Sequence, residues 1–373
     1  MLKILHTGDL HIGREYSKQE QENPQIAKRY RQARLDALVY AVRLANERNC
    51  DYFVVAGDLY DKKAISVKLQ EMVCGILGEC ACPVLVIPGN HDYYEGDEDH
   101  LWNTFRSHAR ENTVLLTEQQ PYVKESGKAV FYPCICKDRY SKDNALSWLK
   151  RCQGRDSAKW NIGIAHGALE GLSYDQEKKY YYMTKEQLNR CDMDLWLLGH
   201  THVPEPKGQK IRDQRIFNAG THQQTDFADN APGSVFLIEA IDKNQIIAEQ
   251  IFTSVIHFAK KEIVLLHGES LEEKLAAVIA SYDKENTSLR VTISGIALAE
   301  EYQRKHEIYE RARVDFLKLE IEDGKLRQEI TMDAINTETV EGSLENRLLR
   351  RYLDDPELLH LAFALVQDCR EDR

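Results

Sequence analysis

Five short polar clusters hold the residues of this chain that could do chemistry together. They are Asp9-Leu10-His11, Gly57-Asp58-Leu59-Tyr60-Asp61, Gly89-Asn90-His91-Asp92, His166-Gly167 and Gly199-His200-Thr201-His202. Each follows an apolar run, so each falls at the C-terminal edge of a predicted strand, where open α/β sheets place their ligand sites. An i, i+2 spacing points both side chains the same way, which suits Asp9 with His11 and His200 with His202. The adjacent glycines let the backbone turn sharply and approach an ion or a phosphate. The donors are His11, His166, His200, His202, Asp9, Asp58 and Asn90. Nitrogen and oxygen donors without a thiolate match borderline and hard divalent ions. One ion takes four to six ligands, so seven convergent donors imply two ions sharing a carboxylate, an arrangement suited to in-line attack on phosphorus. Any one of these histidines taken alone reads as a hydrogen-bonded strand end; five clusters at five strand ends do not.

The elements that must position these clusters follow from the apolar pattern. Strands are predicted over residues 3–6, 52–56, 84–87, 129–133, 161–165, 195–198, 215–219, 234–239 and 245–252, and helices over 26–48, 65–78 and 99–108. The first helix places Tyr30, Ala37, Leu38, Ala41, Leu44 and Ala45 on one face. Early strands alternating with helices imply βαβ units, and later strands with short links imply antiparallel additions. The fold class is therefore α/β, a layered β-sandwich flanked by helices. Near residue 256 the pattern restarts: strand 262–266, helix 271–282, alternation over 289–296, helix 299–313 and strand 316–321. The predicted domains are 1–255, a small α+β capping domain over 256–330, and a tail over 331–373. In the tail a polar linker, 331–343, precedes helices at 344–353 and 356–369, with Asp355 as N-cap and Pro356 at the first helical position.

Composition bounds the rest. Of 373 residues, 43% are hydrophobic and 29% charged, ordinary for a globular protein and too apolar for wholesale disorder. No apolar run approaches the roughly 20 residues of a membrane span. The opening residues reach His6 and Asp9 too soon for a signal peptide's apolar region. Nine cysteines in mostly apolar surroundings read as reduced thiols, so the expected location is cytoplasmic. The pairs Cys80/Cys82 and Cys134/Cys136 read as buried strand thiols rather than metal ligands. With 49 basic against 60 acidic residues the formal charge is −11, which argues against a general nucleic-acid-coating surface but not against one local site.

The set D-x-H, GD-x-x-D, GNHD, H-G and GH-x-H resembles the calcineurin-like metallophosphoesterase superfamily. The opening residues 4–13, the segment 57–61 and the appended domain with its helical tail look like the SbcD-type DNA-repair exonucleases, to which YhaO-type proteins are close. The resemblance implies a metal-dependent DNA nuclease, an exonuclease with endonuclease activity, working by a two-metal mechanism in end processing or repair. Carried onto this sequence, Asp9, His11, Asp58 and His202 would hold one ion. Asp58, Asn90, His166 and His200 would hold the other. Mn²⁺ is the expected metal, with Mg²⁺, Fe²⁺ or Zn²⁺ as alternatives. His91 would be the catalytic proton donor beside the scissile phosphate, with Asp92 orienting it; histidine suits that task near neutral pH. Asp61 departs from the pattern, standing where archaeal and eukaryotic members carry a histidine. The implied partners are DNA, an SbcC-like coiled-coil ATPase bound through the tail, and a second copy of the chain, with no membrane. The second copy would dock on helices 65–78 and 99–108, where Met72, Val73, Ile76 and Leu77 supply apolar surface. In the tail, Leu344, Leu348, Leu349, Tyr352 and Leu353 form an apolar stripe, as do Leu358, Leu361, Ala362 and Leu365, and these are expected to dock on the partner.

Basic residues cluster at Lys28/Arg29/Arg31/Arg34, Lys62/Lys63, Lys137/Arg139/Lys142 and Lys207/Lys210/Arg212/Arg215. Arg14, Lys62, Lys63 and His222 are the candidate DNA contacts, Lys62 and Lys63 because they follow a metal-ligand motif. For His222 a plain loop histidine is the competing reading. The tyrosines at 180–182, after Lys178 and Lys179, could stack a base or simply pack. The acidic stretch 95–99 has no role in this reading. Two other functions compete: a phosphatase or cyclic-(di)nucleotide phosphodiesterase, since the core serves all of these, and a non-catalytic scaffold subunit of a coiled-coil ATPase complex. A small-molecule phosphatase would not need the appended domain and tail. A vestigial site should have lost ligands, and every expected position is filled.

Overall fold

The computed structural model describes all residues except 126, 153–154, 173–174, 230 and 372–373, and omits the side chains of 370 and 371. Contacts divide the chain into two compact units, Met1–His257 and Phe258–Arg373.

The first unit begins with β1 (Leu2–Thr7), α1 (Ser17–Glu22), α2 (Pro24–Glu47), β2 (Tyr52–Ala56), α3 (Val67–Gly78), β3 (Val84–Ile87), α4 (His100–His108) and β4 (Thr113–Leu115). It continues through β5 (Tyr122–Val123), β6 (Ala129–Cys134), β7 (Trp160–His166), α5 (Lys185–Asn189), β8 (Leu195–Gly199), β9 (Lys210–Arg212) and β10 (Ile216–Asn218). The long hairpin β11 (Ser234–Asp242) and β12 (Gln245–Phe252) completes it. A seven-stranded sheet has the order β4-β3-β2-β1-β11-β12-β9 and a five-stranded sheet the order β10-β8-β7-β6-β5. The βαβ-linked strands β1 to β4 are parallel, whereas β11 joins β1 and β12 joins β11 antiparallel.

Strand periodicity explains the layering. Leu5, Phe53, Val55, Val84 and Val86 face α2, α3 and α4, packing on Leu38, Ala41, Val73, Leu77 and Trp102. Their neighbours Ile4, Val54, Leu85 and Ile87 face the second sheet, meeting Phe131, Ile162, Leu195, Leu197 and Phe217. A third layer buries Tyr132, Trp196 and Leu198 beneath Leu146, Trp148 and Leu188. Strands buried on both faces are apolar throughout rather than alternating. The result is an α/β layered sandwich with helices outside.

Two expectations change here. The side chains proposed as a dimer surface on α3 mostly cover its own sheet: Val73 and Leu77 are fully buried and Ile76 packs against the same core, leaving Met72 projecting outward. The acidic stretch is an anchor. Asp99 caps α4 by accepting from Trp102 N at 3.1 Å, and its other oxygen accepts from Glu95 N at 2.9 Å and Lys63 Nζ at 2.5 Å.

The second unit holds β13 (His257–Leu265), α6 (Leu271–Ile279), β14 (Thr287–Ala297), α7 (Ala299–Gln303), α8 (Lys305–Arg313), β15 (Lys318–Gln328), α9 (Met332–Glu338), α10 (Leu344–Arg351) and α11 (Pro356–Glu371). Its sheet is β13-β14-β15, cored by Leu271, Leu275, Val291, Ile293 and Ile308. The segment expected to be a polar linker contains α9, whose Ile335 is fully buried with Leu349, Leu359, Ala362 and Val366. The apolar stripe expected to dock is thereby split. Leu359, Ala362 and Val366 form the inner face of α11, while Leu358, Leu361 and Leu365 stay outside. No helix among the described residues is long and apolar enough to cross a membrane.

Candidate metal centre

The five clusters converge at the C-terminal ends of β1, β2, β3, β7 and β8. The loops after β1 and β2 are laced together: Asp9 N donates to Gly57 O at 3.1 Å, His11 N to Asp58 O at 3.0 Å, and Ile12 N to Leu59 O at 3.0 Å. Asp9, His11, Asp58 and His200 all have left-handed backbone, with φ of 52°, 45°, 51° and 108°. Such conformations are costly for non-glycine residues and persist where surrounding contacts hold them, typically at working sites. Gly57 carries the reason for its own type. A β-carbon there would lie 2.2 Å from His166 Nδ1, and its φ is 87°. Gly89 is similar, since its β-carbon would meet Asp58 Oδ1 at 2.1 Å.

All seven donors meet. His11 Nε2 lies 3.0 Å from His202 Nε2 and 3.7 Å from Asp58 Oδ2. His166 Nε2 lies 3.3 Å from Asp58 Oδ2 and 3.0 Å from Asn90 Oδ1, which is also 2.9 Å from His200 Nδ1. Both Asp9 oxygens accept from His200 N, at 3.0 and 2.8 Å, and Asp58 Oδ1 accepts from His91 N at 2.8 Å. The ring of His166 is aimed by its Nδ1–H, which donates to Ala56 O at 2.9 Å. Two groups, Asp9/His11/His202 and Asp9/Asp58/His166, bring donor atoms close enough to share an ion, with a third at His11/Asp58/His91.

Electrostatics agree with cation binding. Burial lowers His200 to about 3 and His11 to about 4, keeping both neutral with lone pairs available. Burial pushes Asp9 up to about 6, opposed by His166 and His202. At Asp58 burial is outweighed by His166, which holds this carboxyl well below its usual range; in turn Asp58 overcomes burial and raises His166 to about 9. Ring nitrogens and carboxylate oxygens crowded this closely in a dry site repel unless protons or cations lie among them. Mixed N and O donors with two carboxylates fit divalent cations.

The surroundings hold one residue that sequence reasoning missed, Asp229, and place two that it named without a role here, Asp61 and Arg34. Asp229 Oδ1 lies 3.2 Å from His202 Nδ1, and Asp61 Oδ1 lies 3.2 Å from His11 Nδ1, the arrangement by which carboxylates orient metal-binding imidazoles. Arg34, expected among surface basic residues, is buried; it donates to Leu10 O at 2.9 Å, Gln223 O at 3.3 Å and Thr225 Oγ1 at 3.0 Å. It therefore ties α2 to the first ligand loop and to the loop carrying Asp229. No sequence spacing links these residues; only the fold brings them together.

Other expected roles shift. Asp92 is not the partner of His91. It is fully buried, and its two oxygens accept from Gly89 N at 2.7 Å and Tyr60 N at 2.9 Å, so it clamps the two loops. Burial raises it to about 7. His91 Nδ1 instead donates to the Asp61 carbonyl at 2.9 Å. His222 is buried, with Nε2 donating to Arg34 O at 2.8 Å, so it cannot reach a strand of DNA. Lys63 is engaged by Asp99, Glu95 and the Tyr93 carbonyl. Lys62 pairs with Glu15, and Arg14 with Asp226 at 3.2 Å and Asp61 at 3.7 Å; both remain partly exposed at the rim.

The family model of calcineurin-like phosphoesterases matches residues 2–204, a span that contains all seven donors and His91. The chain belongs to the calcineurin-like phosphoesterase family. Among curated relatives, the uncharacterized metallophosphoesterase YhaO of Bacillus subtilis (strain 168) is 27% identical over 205 residues, covering 54% of this chain and 48% of its own length. The chain thus spans about half the length of YhaO. The SbcD subunit of the SbcCD nuclease of Staphylococcus saprophyticus is 27% identical over 272 residues, covering 67% of this chain and 68% of its own length. Among solved structures, TT1561 of Thermus thermophilus aligns with a TM-score of 0.41 at 14% identity, covering 68% of this chain and 99% of that one. Plasmodium GAP50 aligns at 0.38 and 12%, covering 68% and 84%. For this phosphoesterase, the His/Asp clusters are consistent with a binuclear metal site typical of the family.

Proposed function

We propose that this phosphoesterase is a DNA nuclease, an exonuclease with endonuclease activity that hydrolyses phosphodiester bonds during DNA end processing. The observation that carries the reading is the likeness to the SbcD subunit of the SbcCD nuclease, which covers 67% of this chain and so exceeds the span of the phosphoesterase core. Asp9, His11 and His202 would hold one divalent ion and Asn90, His166 and His200 the other, with Asp58 between them. Bound ions, expected to be Mn²⁺, would supply Lewis acidity and lower the pKa of a water. His91 sits half-buried at the edge of this group, its ring 4.8 Å from that of His11. With Nδ1–H committed to the Asp61 carbonyl, its Nε2–H in the protonated form is the group free to protonate a departing 3′-oxygen.

The tail supports a partner. Leu344, Leu348, Leu358, Leu361 and Leu365 are 74%, 41%, 45%, 59% and 55% exposed on α10 and α11. Apolar faces of helices left in water fit the helix-in-groove or coiled-coil mode of association, and an SbcC-like coiled-coil ATPase is the proposed occupant. Removing the chain from Gly342 onward should abolish co-purification with such an ATPase.

The deciding experiment incubates linear duplex and single-stranded DNA with Mn²⁺, Mg²⁺ or EDTA beside a chromogenic phosphodiester. Metal-dependent shortening of DNA is expected. Hydrolysis of the chromogenic ester with intact DNA would replace the reading with a small-molecule phosphodiesterase.

A further inference from the structure

The metal centre has a neighbour that its chemistry does not use. Beyond His166 the chain passes a segment around Tyr180 so closely that a β-carbon on Gly167 would meet the Tyr181 carbonyl at 2.5 Å. That segment is fixed by backbone bonds on both sides. Ala168 N donates to Tyr180 O at 2.8 Å, Ser141 N to Lys179 O at 2.7 Å, and Tyr181 N to Ser141 O at 3.0 Å. Tyr181, left-handed with φ of 51°, turns inward and buries its ring. Its hydroxyl accepts from Lys137 N at 3.1 Å and Asp138 N at 2.9 Å and donates to Asp138 O at 2.9 Å, which pins the loop leading to Tyr140.

The consequence is a staircase of rings leading out of the site. Tyr180 lies over His200, centroids 5.2 Å apart and planes 32° from parallel. Tyr140 follows, 5.4 Å from Tyr180, and is 50% exposed. Lys179 Nζ stands 5.6 Å from the Tyr180 centroid and 5.7 Å from that of Tyr140, and the Arg139 guanidinium lies 5.7 Å from the Tyr140 centroid. Lys179 pairs with Glu177 at 3.2 Å, but both are solvent-exposed, and such surface pairs are weak and readily exchanged. Flat aromatic faces beside cations are how proteins hold single strands: the ring stacks a base and the cation meets the backbone. The outermost ring is half-exposed and lies two ring-steps from a metal-ligand candidate, within reach of a strand that enters the site.

We propose that Tyr180 and Tyr140, with Lys179, form a stacking platform for an unpaired nucleobase of the DNA strand whose phosphate lies at the metal centre. The inference rests on the nuclease reading and adds the form of its substrate. A base within an intact duplex is already stacked and paired, so the platform selects single-stranded or frayed ends.

The test measures binding of a fluorescent single-stranded oligonucleotide, and of an abasic strand with the same number of phosphates, in Mn²⁺. A His91→Ala background keeps the strands from being consumed, and their integrity is checked after the measurement. The unsubstituted protein is assayed for cutting of the same oligonucleotide. The platform predicts that Tyr140→Ala weakens binding of the intact strand by about 5- to 150-fold. It also predicts that the variant binds the abasic strand as its background does, and that Tyr140→Trp restores the preference for bases. An unchanged ratio of intact to abasic binding in Tyr140→Ala, with DNA still cut by the unsubstituted protein, would overturn the platform alone. DNA left uncut by the unsubstituted protein would overturn the nuclease reading, and the platform with it.

Discussion

The Nδ1–H of His91 donates to the backbone carbonyl of Asp61 at 2.9 Å, while the Asp61 carboxylate lies 3.2 Å from Nδ1 of His11. One residue thus stands against two histidines, with its main chain at one and its side chain at the other. This fixes the proton of neutral His91 on Nδ1 rather than Nε2, a tautomer choice that a sequence cannot state.

His91→Ala should therefore keep metal and lose turnover by about 10²- to 10⁴-fold on DNA, the usual range for a positioned general acid. An aryl diester, whose leaving group needs no proton, should lose far less. Equal losses on the two substrates, measured as kcat/KM, would remove His91 from the role of proton donor.

Asp61→Ala retains the main-chain carbonyl and removes only the carboxylate. Metal affinity should fall by about 10- to 100-fold, as is usual when a carboxylate orienting a metal-bound histidine is lost. The relative rates on DNA and aryl diester should stay as they were. Titration against a competing chelator measures the first, and an unchanged affinity would show that Asp61 does not aim His11.

Asp58 Oδ2 lies between His166 Nε2 at 3.3 Å and His11 Nε2 at 3.7 Å, facing both groups of donors. Asp58→Ala should lose both ions, whereas Asn90→Ala should chiefly weaken the ion near His166 and His200. Elemental analysis after dialysis distinguishes them; a full metal complement in the Asp58 variant would contradict the bridging role.

His222 gives a prediction about acid stability. Burial lowers it to about 3, and its Nε2–H donates to Arg34 O, so the folded chain holds the neutral ring. The unfolded chain takes up the proton near the ordinary value of about 6.5. The folded pKa is the lower one, so stability from this group is complete above about 6.5 and declines as pH falls toward 3. The slope is about 1.4 kcal/mol per pH unit for one proton. His222→Gln should show a shallower acid decline in denaturant unfolding followed between pH 4 and 6; identical slopes would mean that His222 is protonated in the fold.

The sequence by itself determined where the donors would gather. Asp9, Asp58, Asn90, His166 and His200 each end an apolar run, and strands buried on both faces must be apolar throughout, so the ends of those runs mark one edge of the sheets. The layered α/β class followed for the same reason, because helical and extended periods are local properties of the chain. Tertiary structure alone decided which partner each polar side chain finds. Asp229 reaches His202 across 27 residues, Arg34 reaches Thr225 across 191, and Tyr180 lies over the ring of His200, with no shared motif in any of the three pairs. Burial likewise took His222 out of solvent, and the acidic stretch engaged Lys63. The same holds on α11, where Leu359 turns inward and Leu358 outward although both are leucine. A helix apolar on several faces leaves that choice to whatever it packs against, and here Ile335 and Leu349 supply the inner surface.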